Sequence, residues 1–384
     1  MRILFVLAYY HPYIGGAEIL FQRLAEGLVG RGHSVQVITT LLPGTPVDEI
    51  VNGVRIQRVR VPSYADRYFF SFLSIPIVCR VAKDFDIIHT TAYNGALPAY
   101  LGGRLNRRPI VFTAMEVLGK RWKISEPNRL KAWMYQGIEQ IVIRLGYDRL
   151  VAISYSTSHD MVQAGLDDAR TSVIHCGVDD VFSSGVFRPD GSLRSLCGIG
   201  SEDFLYVYYG RPGVTKGVDY LISAVPSIVQ QIPNSHLALI LAKEPRSQYE
   251  QLKYTANQTK VAHRIHFIDS FQDRETLIRH LLDANCIVVP SLTEGFGLTA
   301  AEACAVGLPL VATKTGSIPE VVSGRHVLVE AQSAVALCDG IVRAWQGQYD
   351  PWIEPKRFSW AKMIVAYEDL YKSLNESRID RHVA

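Results

Sequence analysis

No two of the six cysteines (Cys79, Cys176, Cys197, Cys286, Cys304 and Cys338) stand at CxxC spacing. That absence argues against a zinc site or a disulfide framework and points to a reducing, cytoplasmic setting. Long hydrophobic runs are missing too: no window approaches the roughly 18 uninterrupted apolar residues of a membrane span, so only attachment to a membrane surface stays open. An excess of one charge is absent, since 40 basic residues face 37 acidic ones for a net charge of +3. This balance argues against a nucleic-acid-coating protein. The opening MRILFVLAYYHP lacks a small-residue cleavage site and reads as a first buried strand rather than a leader. No GxGxxG follows a strand of the first half, which weighs against a dinucleotide oxidoreductase.

What is present is length and apolar content. At 384 residues and 48% hydrophobic, the chain exceeds the roughly 250 to 300 residues at which a single core stops growing. Two domains are expected. Short β-branched runs at Ile3 to Ala8, Val35 to Thr39, Ile87 to His89, Ile110 to Thr113 and Leu150 to Ile153 read as buried strands. Between the first two, Leu20, Leu24 and Leu28 line one helical face, and Gly30-Arg31-Gly32 ends that helix. Asn52-Gly53 ahead of alternating apolar residues predicts a hairpin over Val51 to Val61. After the Gly/Ser-rich stretch Ser183 to Gly200 a second cycle begins, with strands at Phe204 to Tyr209, His236 to Leu241, Ile265 to Ile268, Cys286 to Val289 and Leu310 to Ala312. A helix, Trp360 to Leu374, closes the chain. The pattern implies an α/β protein: a domain over 1–182, a second over 183–355, and a terminal segment 356–384 packing back on the first. Ligands are expected at the carboxyl ends of two parallel sheets facing a central cleft.

The segment Pro290-Ser-Leu-Thr-Glu-Gly-Phe-Gly-Leu-Thr-Ala-Ala-Glu302 carries the most chemistry. It follows a strand and enters an Ala-rich helix. Gly295 and Gly297 allow a tight turn and close approach to a ligand, and the helix starting at Leu298 to Thr299 aims unpaired N–H groups at an anion such as a diphosphate. Glu294 lies on the loop, and Glu302 is expected in the first helical turn, open to ribose hydroxyls. Taken alone, the segment reads equally well as a glycine-rich turn with Glu302 complementing the helix dipole.

Its neighbours shift that balance. The chain resembles glycosyltransferase family four, the retaining group with the GT-B fold, whose acidic pair is spaced E-x7-E like Glu294 and Glu302. The resemblance also rests on Gly15-Gly16-Ala17-Glu18, Gly177-Val178-Asp179, Gly210-Arg211, Lys216-Gly217 and Gly316-Ser-Ile-Pro-Glu320. It implies two Rossmann-like domains, the second binding a nucleoside diphosphate sugar (UDP- or GDP-sugar) and the first a saccharide or lipid-linked acceptor of cell-envelope polysaccharide or glycolipid synthesis. Neither cofactor nor metal is expected. Arg211 and Lys216, on a loop between a strand and a helix, can reach the same diphosphate and stabilise its departure, Arg as a fork and Lys as a point charge. With Glu294 they form the expected catalytic set. Gly15, Gly16, Gly210, Gly295, Phe296, Gly297, Leu298, Thr299 and Glu302 form the expected donor site.

One departure concerns the acceptor side. Met115 stands where the family usually has a histidine, and a thioether cannot donate the hydrogen bond an imidazole gives to a sugar hydroxyl. Glu116, His89 and His11 are the candidates left, each with an ordinary structural alternative. Asp84-Phe85-Asp86 imitates a metal-binding DxD but precedes its strand, at the wrong edge of the sheet, and no metal site is expected there. Two basic-aromatic stretches, Tyr68 to Ile77 flanked by Arg67 and Arg80 to Lys83, and Lys120-Arg-Trp-Lys123 with Arg129 and Lys131, fit either core helix and solvated loop or contact with an anionic membrane. Rival readings are a GT-B phosphorylase or epimerase, and a nucleotide-sugar-binding scaffold without turnover.

Overall fold

Runs of Val, Ile, Leu and aromatic residues bounded by Gly, Pro and Asn form strands that are almost continuously buried, the mark of sheets covered on both faces. The first eight are β1 (Arg2–Val6), β2 (Ser34–Thr40), β3 (Asp48–Val51), β4 (Val54–Val59), β5 (Ile87–Thr91), β6 (Ile110–Ala114), β7 (Arg149–Ala152) and β8 (Thr171–Val173). They make one sheet in the order β3-β4-β2-β1-β5-β6-β7-β8, parallel except for the antiparallel β3–β4 pair. Asn52 and Gly53 turn that hairpin with φ of 49° and 80°, both positive as a two-residue Asn-Gly turn requires.

The second sheet holds β9 (Phe204–Gly210), β10 (Ser235–Leu241), β11 (Ile265–Asp269), β12 (Cys286–Val289), β13 (Leu310–Thr313) and β14 (His326–Val329). Its order is β11-β10-β9-β12-β13-β14, and every pairing is parallel. The strand order reverses between β9 and β12, so the loops leaving these neighbours run to opposite faces and open a crevice at their carboxyl ends. In the computed structural model the described residues are all but Ile14, residues 270–272 and Ala384, and the side chains of residues 92, 93 and 377–383 are also set aside.

Two compact units result: Met1–Gly177 together with the residues from Ser359 onward, and Val178–Phe358. The terminal helix, Trp360–Val383, extends beyond the Leu374 limit read from the sequence. It buries Met363, Tyr367 and Tyr371, residues four apart on one face. Glycines make room for it: a Cβ on Gly27 would meet the Ile364 side chain, and one on Gly177 would meet Trp360. Leu20, Leu24 and Leu28 are buried on the helix Gly16–Gly30 as their period predicts. Among the described residues no helix is long and apolar enough to cross a membrane.

Candidate functional site

The loops that follow β9, β12 and β13 are built into one another. Gly217 has a φ of +64°, and a Cβ there would run into the Pro290 carbonyl, so only glycine permits this approach. The Leu292 N–H donates to the Thr215 carbonyl at 2.7 Å. From the β13 side, the Thr315 hydroxyl donates to the Leu292 carbonyl at 3.0 Å, and Ser317 N–H donates to the Glu294 carbonyl at 3.2 Å. Gly316, at φ +50°, is held against the same Glu294 carbonyl. The backbone of Glu294 is therefore fixed before any ligand arrives.

Its side chain faces the loop after β9. Lys216 Nζ lies 2.8 Å from Glu294 Oε2, and the Ser291 hydroxyl donates to the same oxygen at 3.1 Å. Arg211 is exposed, and its carbonyl accepts the Tyr208 hydroxyl at 3.1 Å. Burial first, then the Glu294 charge, raise the Tyr208 pKa while Arg211 opposes them, which places all three in one electrostatic neighbourhood. Gly297, at φ +87°, starts the helix Leu298–Val306 without a side-chain cap. The first-turn N–H groups, those of Leu298 and Thr299 included, have no carbonyl one turn back to pair with. Two cations, one carboxylate and an uncapped helix start thus collect at the crevice side of β9 and β12, an arrangement suited to a diphosphate with an attached polyol.

Glu302 is placed differently from expectation. It is the fifth residue of its helix and 8% exposed, not an open group in the first turn. The Tyr209 hydroxyl lies 3.0 Å from its Oε2, and Arg274 lies 3.4 Å from its Oε1. Burial raises its pKa to about 7, with Arg274 and the Tyr209 hydrogen bond pulling the other way. Arg274 also lies 3.7 Å from Asp179 and over the Phe182 ring at 5.6 Å. The sequence reading missed Arg274 and Tyr209. Arg274 follows the helix-capping Asp273 and looks like a routine first-turn residue, while Tyr209 looks like one more strand aromatic.

Two other expectations need correction. Phe296 is 3% exposed and meets Phe358 edge-on at 5.1 Å, so its ring braces the loop and is not presented to a ligand. His89 is fully buried, with Nδ1 2.5 Å from the Tyr371 hydroxyl and Nε2 2.8 Å from the Thr113 hydroxyl. Burial lowers its pKa to about 3. It is a satisfied core residue, removed from any acceptor role. Of the glycines, Gly297 takes a positive φ while Gly295 does not require one, and Gly210 ends β9 at φ +146°.

The remaining first-unit candidates lie in the segments that follow β1 and β6. Gly15 caps the helix Gly16–Gly30 in an extended conformation, and Gly16 is that helix's first residue, so neither needs a positive φ. Ile14 between them and Tyr13 lies outside the described residues. His11 is half-buried, and its carbonyl accepts from Arg58 at 2.8 Å. Met115 and Glu116 are half-buried just past β6. Asp86 accepts the Arg2 N–H at 2.8 Å, a structural contact at the entry of its strand. Among the described residues no cluster of three or more His, Cys, Asp or Glu side chains could hold a metal ion.

Comparison with known proteins divides the chain between two family models. Residues 14–182 match Glycosyltransferase Family 4, and residues 196–359 match Glycosyl transferases group 1. An uncharacterized glycosyltransferase of Methanocaldococcus jannaschii is 28% identical over 342 residues, 84% of this chain and 83% of its own. The sucrose-phosphate synthase of Thermosynechococcus elongatus has a similar structure, with a TM-score of 0.77 at 21% identity over 98% of this chain and 99% of its own. Anabaena HepE, solved with UDP-glucose, gives a TM-score of 0.71 at 18% identity over 100% and 99%. The fold is GT-B, with two Rossmann-like α/β units.

Proposed function

We propose that this chain, which belongs to the group 1 glycosyltransferases of family 4, moves a sugar from a nucleoside diphosphate sugar to an acceptor hydroxyl with retention of anomeric configuration. The observation that carries the reading is the Lys216–Glu294 contact at 2.8 Å beside the uncapped start of the helix Leu298–Val306. A diphosphate leaving group gains negative charge as its bond to the anomeric carbon breaks, and that carbon gains positive character. Fixed cations and N–H dipoles aimed at the departing oxygen lower this barrier without reorganising. Lys216, Arg211 and the helix start supply them, so the proposed step needs no metal. The acceptor oxygen bonds to the anomeric carbon on the face the diphosphate leaves, and its proton passes to the leaving phosphate oxygen.

Glu294 in this scheme is a positioning group. Already held by Lys216 and Ser291, it accepts hydrogen bonds from donor-sugar hydroxyls. Glu302 presents its exposed edge to the ribose, oriented by Tyr209 and Arg274. The UDP-glucose bound by Anabaena HepE supports a uridine diphosphate sugar, with guanosine as the second choice. Glu116 and His11 belong to the first unit, to which we assign the acceptor, a saccharide or lipid-linked hydroxyl of envelope polysaccharide or glycolipid synthesis on the cytoplasmic side; Gly15 and Gly16 of the same unit are assigned to the donor. Met115 favours one second reading, a protein that binds the nucleotide sugar without transferring it.

A thermal-shift panel of UDP-, GDP-, ADP- and dTDP-sugars tests the proposal, followed by product analysis with the nucleotide that binds. One of them should raise Tm. Lys216→Ala should lower kcat by roughly 100- to 1,000-fold, the usual loss for one group stabilising a developing oxyanion. If no nucleotide sugar shifts Tm, the proposal fails; a shift without transfer to any acceptor selects the binding protein.

A further inference from the structure

The helix Arg129–Ile143 is apolar on the wrong side. Its inner face is conventional: Ala132, Val142 and Ile143 are buried, and the buried Glu139 accepts the Leu118 and Gly119 N–H groups at 2.9 and 2.7 Å. The face turned to solvent carries Leu130 and Trp133, 74% and 73% exposed, together with Met134, Ile138 and Ile141. A surface helix normally reverses this distribution.

A second helix repeats the pattern. In Asp66–Leu73 only Phe70 is buried, while Tyr68, Phe69, Phe72 and Leu73 are exposed. Burial first, then the neighbouring Tyr135 hydroxyl, raise the Tyr68 pKa, which places the two helices side by side with their exposed apolar residues on one surface. An exposed apolar patch of this extent on a soluble domain marks an interaction site.

Charge identifies the partner. Lys120, Lys123, Arg129 and Lys131 are all exposed along this surface. The acids nearby are engaged: Glu139 as above, Asp160 with Arg121, Asp66 with the Tyr9 hydroxyl and Glu126 with the Asn128 N–H. We propose that this face docks on an anionic lipid surface, with the aromatic and aliphatic side chains entering the headgroup boundary and the cations meeting lipid phosphates. A second copy of the chain fits less well, because a twofold contact sets a patch against itself and would bring Arg129 and Lys131 against their own counterparts.

The test is flotation of the full chain with vesicles of phosphatidylcholine alone and with about 30 mol% phosphatidylglycerol, a composition with a substantial negative surface potential. The protein should rise with the anionic vesicles, remain behind with the neutral ones, and be released by high salt. Lys123→Gln with Lys131→Gln should weaken binding by roughly 30-fold, since each cation near such a surface contributes about a fivefold factor. Trp133→Ser with Ile141→Ser should abolish flotation while Tm and nucleotide response stay unchanged, as both side chains are exposed. No flotation of the wild type, or equal flotation on neutral vesicles, overturns the proposal. So does a concentration-dependent dimer in light scattering that Trp133→Ser dissolves, which would make the patch a self-contact.

Discussion

A carboxylate that is 8% exposed works under constraints that a loop carboxylate escapes. Glu302 pairs with Arg274 and Tyr209, yet burial still dominates and holds its pKa at about 7, against 4.5 for an ordinary glutamate. The folded protein therefore retains a proton on Glu302 that the unfolded chain gives up between those values. Its contribution to stability is fully present below about 4.5 and is lost as pH rises through about 7. A rise of that size corresponds to something on the order of 3 kcal/mol. Glu302→Gln should consequently melt higher than wild type at pH 8, and the difference should vanish toward pH 4.5, measured by Tm across the series. The same substitution should weaken nucleotide binding at pH 8 if the charged carboxylate holds the ribose. A constant Tm difference at all pH values would show that burial is not the dominant effect. The E-x7-E spacing was legible in the sequence because it is local. The partners that offset the burial lie 28 and 93 residues away, and only tertiary packing joins them.

At the scale of elements, the terminal helix Trp360–Val383 shows what a periodic pattern does and does not disclose. The apolar period announced a helix from Trp360, and the buried Tyr367 and Tyr371 follow from it. Their hydroxyls have consequences no period reveals. Tyr371 meets His89 and Tyr367 meets Thr113 at 3.0 Å, which turns a strand-end histidine into core. Glu368 on the same helix gathers Lys372 at 2.9 Å, His33 at 3.0 Å and Arg31 at 2.6 Å. The Lys372 and His33 contacts, then Arg31, lower its pKa from 4.5 to about 2. A depressed carboxylate stabilises the fold above its unfolded value, and that stabilisation disappears as pH falls through the folded one. Glu368→Gln should therefore lower Tm at pH 7, with the gap to wild type closing between pH 4.5 and about 2. If the gap is the same at pH 3 as at pH 7, the ion pairs are not what holds this helix to Arg31 and His33.

For the whole molecule, two cycles of strand and helix were readable because each buried strand is a compact apolar run with turn residues on both sides. Two edge strands were not: β8 has three partly exposed residues, too few for any period to emerge, and β14 is four residues of which three are buried, with no alternation to mark it. The topology that sets the loops after β9 and β12 side by side depends on the strand-order reversal between them, which no single segment encodes. The proposed division of labour, donor to the second unit and acceptor to the first, can be measured by hydrogen exchange. A bare nucleoside diphosphate at about 100 times its Kd should slow exchange of the amides it protects by roughly 100-fold, and protection should centre on residues 210–217 and 290–306 of the second unit. Adding the sugar tests the first unit separately. If Gly15 and Gly16 touch the donor, amides 15–19 gain protection with the nucleotide sugar. Unchanged exchange there would remove the glycine pair from the donor site and leave it as the cap of the helix Gly16–Gly30. Protection absent from 290–306 would be the more damaging result, because the Lys216–Glu294 contact and the uncapped helix start would then have no ligand to explain them.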